Sequence, residues 1–158
     1  MATAFKTILV AVMFIGGCAG STCGGMKVSR CVIWFKGIKK ELSTLVHPRE
    51  IKKIKMDGHV IAHETVRSAN AFLAVYVVVV FFSVLLIAPD EFDFTTNFTA
   101  VVATLNDIGP GLAGVGPARN YAAYSGFSKI VLMFDMLAGR LELFPMLFLI
   151  LPSTYRRK

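Results

Sequence analysis

Residues 68–88, SANAFLAVYVVVVFFSVLLIA, run for 21 residues without a charge. The Val/Phe run would suit a buried strand, but a helix of roughly 20 apolar residues crosses a bilayer, and this segment has that length. A helix also satisfies its own backbone hydrogen bonds in lipid, which a lone strand does not. The composition agrees. Hydrophobic residues make up 55% of the 158 and charged residues 17%, against about 25% charged in ordinary soluble domains. The expected class is an all-α integral membrane protein, with room for about three or four spanning or re-entrant pieces.

A second span is expected at 126–151, interrupted by Asp135, Arg140, Glu142 and Pro145. Residues 94–105 are apolar over half a span, and NDIGPGLAGVGP follows them. Charge sets the orientation. From Lys27 to Arg67 ten Lys/Arg face four Asp/Glu, a net of +6, and the tail adds Arg156, Arg157 and Lys158. Between 89 and 125 there is one Arg, Arg119, against Asp90, Glu91, Asp93 and Asp107. The positive-inside rule assigns 36–67 and the tail to the cytoplasm and 89–125 to the outside. Residues 94–105 are then flanked on both sides by the outside, so they dip in and return. Irregular backbone survives at membrane depth only where protein buries it or water lines it. Helix, half-helix, loop, helix is the plan of a cation-channel repeat.

Near the N-terminus the apolar run 5–15 meets GGCAGSTCGG at 16–25 and an apolar patch at 28–35. Five glycines break this span, because each costs a helix about 1 kcal/mol. Broken membrane helices of small polar residues line ion pathways, and a small-residue packing segment is the plainer reading. A phosphate loop does not fit, since G-x4-G-K-[ST] is absent. A lipoprotein signal ending at Cys18 has the right outline, but membrane segments follow it. The cysteines, Cys18, Cys23 and Cys31, form neither a disulfide framework nor a zinc pattern. His59 and His63 stand four apart without the glutamate of an HExxH motif, which favours a solvated loop over a metal site. The basic stretch lacks aromatic interleaving, which argues against nucleic acid and for a face near anionic lipid. No nucleophile–base pair or paired carboxylate supports an enzyme.

A potassium filter replaces the water shell of the ion with backbone carbonyls. Gly109 and Gly111 flank Pro110, and Thr104 and Asn106 carry side-chain oxygens nearby. From the residues alone, an outer Gly/Pro turn without ion contact explains this stretch equally. Arg140 falls near the middle of its span, where an unpaired arginine is costly. Glu142 and Asp135 are poorly spaced to pair with it on a helix. A partner from the 16–25 loop is expected, with an electrostatic barrier to cations as the functional reading.

Four motifs carry a family resemblance: FIGGCAGSTCGGMK at 14–27, LVHP at 45–48, VVATLNDIGPGLAGVG at 101–116 and MLAGRLELF at 136–144. In this order and spacing they resemble the Trk/Ktr/HKT superfamily of potassium transporters, most closely its bacterial TrkH-type uptake subunits. Members are built from repeats of helix, pore helix, filter loop and helix. The resemblance implies that 1–45 is the second, broken helix of one repeat and 46–67 a basic cytoplasmic linker. It implies a complete repeat over 68–152 (helix 68–88, pore helix 94–105, filter loop 106–111, helix 126–151) and a basic tail at 153–158.

Under this resemblance Gly16, Gly17, Cys18, Ala19, Gly20, Ser21, Thr22, Cys23, Gly24 and Gly25 form an intramembrane gating loop. Thr104, Asn106, Asp107, Ile108 and Gly109 belong to the filter, with potassium held by the carbonyls of Asn106 to Gly109. Arg140 is a charge near pore and gate. Three positions depart from the family pattern: Cys23 replaces a usual Gly, and Asp107 and Asp135 each replace a usual Asn. Asp107 either draws cations to the filter or points outward. The resemblance further implies potassium as transported substrate, no cofactor and a bacterial inner-membrane location. It implies a homodimer in full-length form, and a cytosolic nucleotide-binding regulatory subunit of TrkA type docked on the basic face. One and a half repeats do not enclose a four-fold pore, so the chain reads as part of a larger subunit, incomplete alone. The rival readings are a small homo-oligomeric cation channel, which lacks a TVGYG-type filter, and an accessory or assembly protein without a pore.

Overall fold

The computed structural model describes residues 2–18, 24–47, 54–56 and 59–141. Ala19, Gly20, Ser21, Thr22 and Cys23 of the expected gating loop lie outside the described residues. So do residues 142–151 of the expected 126–151 helix and the tail.

Five α-helices carry the described chain: α1 Ala2–Ile15, α2 Val28–Val46, α3 His63–Ile87, α4 Phe94–Leu105 and α5 Gly126–Arg140. A short antiparallel hairpin, β1 Lys55–Met56 and β2 His59–Val60, joins α2 to α3, with Lys55 opposite Val60. The all-α expectation thus acquires a small β piece within the basic linker. The Lys36 ammonium donates to the Lys55 carbonyl at 2.8 Å and fastens it to α2. The linker is also shorter than expected, since α3 begins at His63 and takes in Arg67.

Local chemistry sets the helix ends. Pro89 follows α3, and proline and the residue before it disfavour further helix. Asp93 caps α4, its carboxylate accepting the Thr95 N–H at 3.2 Å. The Ser125 hydroxyl accepts the Ser128 N–H at 3.2 Å and caps α5. Both are residue types that favour the N-cap position. Outside the helices, the Asp90 carboxylate accepts the Ser125 N–H at 3.0 Å. That bond holds Asp90 below the usual carboxylate range.

α3 is apolar all round, yet it has an inside. Ala69, Phe72, Tyr76, Val80, Ser83 and Ile87 form its buried stripe, at the spacing of one helix face. Val77, Val78, Phe81, Phe82, Leu85 and Leu86 are exposed on the rest. A large hydrophobic face turned outward inverts the pattern of a soluble helix and suits lipid. At 25 residues and 1.5 Å per residue, α3 spans about 37 Å, enough for a hydrocarbon core of about 30 Å. α4, with 12 residues, reaches only about 18 Å.

The core is built around that short helix. α4 packs against α5, α3 and α1, and Ala100, Val101, Val102, Ala103 and Leu105 are fully buried. Arg30 of α2 lies over the Phe72 ring of α3 at 4.1 Å, a cation–π contact beside the buried stripe.

Candidate functional site

The end of α4 organises the site. Asn106 takes φ −96° and ψ 4°, and Asp107 has φ +54°. The Asp107 N–H donates to the Thr104 carbonyl at 3.1 Å, and the Ile108 N–H donates to the Ala103 carbonyl at 2.9 Å. These bonds are a Schellman C-cap, with Asp107 at its left-handed position. Asp and Asn tolerate that conformation better than other non-glycine residues. The backbone therefore accommodates Asp107 at this position. Gly109, at φ +94°, is the next left-handed residue.

The side chains expected near the filter face inward. The Thr104 hydroxyl donates back to Ala100 and Val101, both at 2.9 Å. Asn106 is buried, its amide donating to the Tyr76 hydroxyl and the Val102 carbonyl, each at 2.9 Å. Ile108 and Gly109 are exposed, so the open side of this loop presents backbone and the Ile108 side chain.

Beyond Gly109 the chain returns along α4 and is held by hydroxyls that the sequence reading did not single out. The Thr99 hydroxyl accepts the Leu112 N–H at 3.0 Å, and the Thr96 hydroxyl accepts the Gly114 N–H at 3.1 Å. The Tyr121 hydroxyl donates to the Gly109 carbonyl at 2.7 Å. A carbonyl oxygen has a second lone pair, so this bond fixes its direction without exhausting it. The Tyr124 hydroxyl donates to the Asn97 side-chain oxygen at 2.9 Å. Burial pushes that phenol up to about 12, so it stays a donor at neutral pH. The signal for α4 lay in FTTNFT, a cluster of polar residues on a half-span; nothing in the sequence tied Tyr76, Tyr121 or Tyr124 to it.

The described end of the glycine loop reaches this cap. Gly25, at φ +72°, lies against Asn106 so closely that a Cβ would overlap its side-chain amide. Gly139 of α5 lies against the Leu105 backbone, where a Cβ would strike the Leu105 carbonyl. A Cβ on Gly24 would meet the Asp107 carboxylate and, at 3.0 Å, the Gly139 carbonyl. The residues brought together are therefore Gly24, Gly25, Asn106, Asp107 and Gly139, from three parts of the chain. Gly16, Gly17 and Cys18 are also described, and the Gly17 carbonyl accepts the Val28 N–H at 3.0 Å.

Arg140 follows Gly139 and is exposed. One turn earlier, Asp135 is fully buried and accepts the Ser83 hydroxyl of α3 at 2.8 Å. Cys18 is exposed and Cys31 partly buried, both free thiols. Among the described residues no group of His, Cys, Asp and Glu is arranged to hold a metal ion.

Comparison with known proteins adds identity to this geometry. A family model described as TrkH, cation transport protein, matches residues 1–155. The Trk system potassium uptake protein TrkH of Salmonella typhimurium is 40% identical over 149 residues, covering 94% of this chain and 30% of the relative. The TrkG protein of Escherichia coli K12 is 34% identical over 136 residues, 86% of this chain and 28% of the relative. Among solved structures, the potassium transporter TrkH from Vibrio parahaemolyticus superposes with a TM-score of 0.85 at 38% identity. That match covers 96% of this chain and 32% of the transporter. The chain spans about a third of the length of these relatives.

Proposed function

The chain belongs to the TrkH family of cation transport proteins, and from that premise we propose that it forms part of the ion-conducting subunit of a potassium uptake system. The family is one of membrane transporters, not of enzymes. In this reading 68–152 is one pore repeat, with α4 as its pore helix. The carbonyls of Asn106, Asp107, Ile108 and Gly109 supply one quarter of a filter, and the loop 16–25 with Arg140 gates beneath it. Residues 36–67 and the tail face the cytoplasm of a bacterium, where the basic surface receives a regulatory subunit. The complete subunit pairs as a homodimer, and this part conducts only together with the rest.

The observation that carries the reading is the end of α4. A buried half-length helix directs its C-terminus, the negative end of its dipole, at a loop of outward-facing backbone. Such an end stabilises a cation, and the left-handed residues Asp107 and Gly109 turn successive peptides as a carbonyl filter requires.

Gly109 offers a direct test. Nothing lies within 4 Å of a Cβ placed there, so Gly109→Ala meets no steric obstacle. Its φ of +94° nonetheless costs an L-residue roughly 1–2 kcal/mol, enough to turn the peptide. In a chimera where this chain replaces the matching third of the Vibrio parahaemolyticus transporter, Gly109→Ala is expected to lower potassium-over-sodium selectivity by roughly tenfold while leaving the fold intact. Unchanged selectivity in a conducting chimera would remove these carbonyls from the filter.

A further inference from the structure

Gly109 carries the last carbonyl of the proposed filter, and little around it fixes where that oxygen points. Glycine turns freely, the residue is exposed, and nothing lies within 4 Å of a Cβ placed there. The peptide that follows leads into Pro110. Proline has no N–H, so the carbonyl is the only hydrogen-bonding group of that peptide. Among the described residues it is held by one hydroxyl, that of Tyr121, which donates to it at 2.7 Å.

Tyr121 is itself braced. Its ring stacks on Tyr124, with centroids 6.2 Å apart and an interplanar angle of 26°. Tyr124 is buried, its ring packs against Phe92 at 4.8 Å, and its hydroxyl donates to the Asn97 side chain of α4 at 2.9 Å. The Tyr124 N–H closes the turn on the Tyr121 carbonyl at 3.3 Å. The Asn120 side chain caps the same turn, accepting the Ala122 N–H at 3.1 Å. A continuous line of contacts therefore runs from Asn97, through the two tyrosines, to the Gly109 carbonyl. It is separate from the threonine bonds that hold Leu112 and Gly114. Burial raises the Tyr121 phenol above its ordinary value, so the group keeps its proton at neutral pH and stays a donor.

We infer, resting on the pore reading above, that Tyr121 is a specificity-determining residue: its hydroxyl positions the Gly109 carbonyl and thereby favours potassium over sodium. Bonded to the phenol on one side, the oxygen keeps a second lone pair for an ion. Two effects favour the larger cation. An oxygen held in place does not close in on the smaller sodium ion as a freely turning one does. The donated proton also withdraws charge from the carbonyl, and a weaker field suits potassium, whose water shell is the less tightly bound. Tyr121 acts through the Gly109 carbonyl and touches no ion itself, so it is a positioning residue.

Tyr121→Phe removes the hydroxyl and leaves the ring to stack. In the chimera it is expected to lower potassium-over-sodium selectivity roughly three- to fivefold, the scale of one hydrogen bond, while total cation flux persists. Unchanged selectivity in Tyr121→Phe, where Gly109→Ala lowers it, overturns the inference. The bond is read separately by carbonyl NMR of this chain in lipid nanodiscs. Glycine labelled at its carbonyl carbon and proline labelled at nitrogen give a coupled signal at only two peptides, Gly109–Pro110 and Gly116–Pro117. The Gly116 carbonyl accepts the Arg119 N–H at 2.8 Å and serves as the internal reference. Tyr121→Phe is expected to shift the Gly109 signal upfield and to leave Gly116 in place. A Gly109 signal that does not move overturns the inference. If the signal moves while neither Tyr121→Phe nor Gly109→Ala alters selectivity, the bond stands, the pore reading fails, and the role in selection falls with it.

Discussion

Gly139→Ala is expected to lower the stability of the chain by about 2–3 kcal/mol, although alanine is the better helix former by about 1 kcal/mol. The two effects oppose each other, and geometry decides between them. A Cβ at 139 strikes the carbonyl and carbonyl carbon of Leu105, main-chain atoms at the end of a fully buried helix. They cannot rotate away as a flexible side chain can, so α4 and α5 must separate. The space between them holds Leu132, Ala138, Val101 and Leu105, whose contacts weaken as it opens. Gly126→Ala is the matched control, because nothing lies within 4 Å of a Cβ there. Thermal unfolding in detergent or nanodiscs checks the pair. A Gly139→Ala protein as stable as Gly126→Ala would mean that α4 and α5 do not meet in this way.

Asn106→Leu is expected to cost about 2–4 kcal/mol, more than its size suggests. Leucine has nearly the same shape but donates nothing. The Tyr76 hydroxyl then loses the amide it accepts from, while the Val102 carbonyl keeps the backbone N–H of residue 106 at 3.1 Å. Removing one member of a buried pair costs more than removing both. Adding Tyr76→Phe to Asn106→Leu is therefore expected to recover part of the loss, and a fully additive double variant would contradict the bond.

The helices follow from sequence for reasons that differ from one to the next. α3 needs only its uncharged length, and its outward Val/Phe/Leu face is consistent with the lipid that the length implies. The bounds of α4 are readable because Asp93 is a cap and the Asn106–Asp107 pair ends it. Its position at the centre of the fold is not, because FTTNFTAVVATL is less apolar than α3. What buries it is not hydrophobicity alone but Thr96, Thr99, Thr104, Asn97 and Asn106, each hydrogen-bonded to a partner distant in sequence or to its own helix, although the Asn106 side-chain oxygen has no partner among the described residues. The hairpin at 55–60 escaped notice because a Lys/Asp/Gly/His stretch reads as a solvated loop. Its attachment comes from the Lys36–Lys55 bond, which no local pattern encodes.

The site was legible in its motifs and not in its contacts. Gly24, Gly25 and Gly139 fall within segments that the family resemblance singled out, but which backbone or side chain each admits depends on how three distant parts of the chain fold together. Asp107 shows the same limit. As a departure from the family pattern it was visible at once, whereas its direction depends on a left-handed cap at the end of α4. For Arg140 the expected partner was a carbonyl of the 16–25 loop. Gly24, at the described end of that loop, approaches the neighbouring Gly139, and residues 19–23 lie outside the described residues.

Potassium-limited growth of a bacterial strain that lacks its own uptake systems tests the central claim most directly. Three cultures suffice: one with this chain alone, one with the remaining two-thirds of a TrkH relative alone, and one with both joined as the chimera. The account predicts growth and rubidium uptake with the chimera and with neither part by itself. Growth supported by this chain alone, or a membrane-inserted chimera that carries no rubidium, would contradict it.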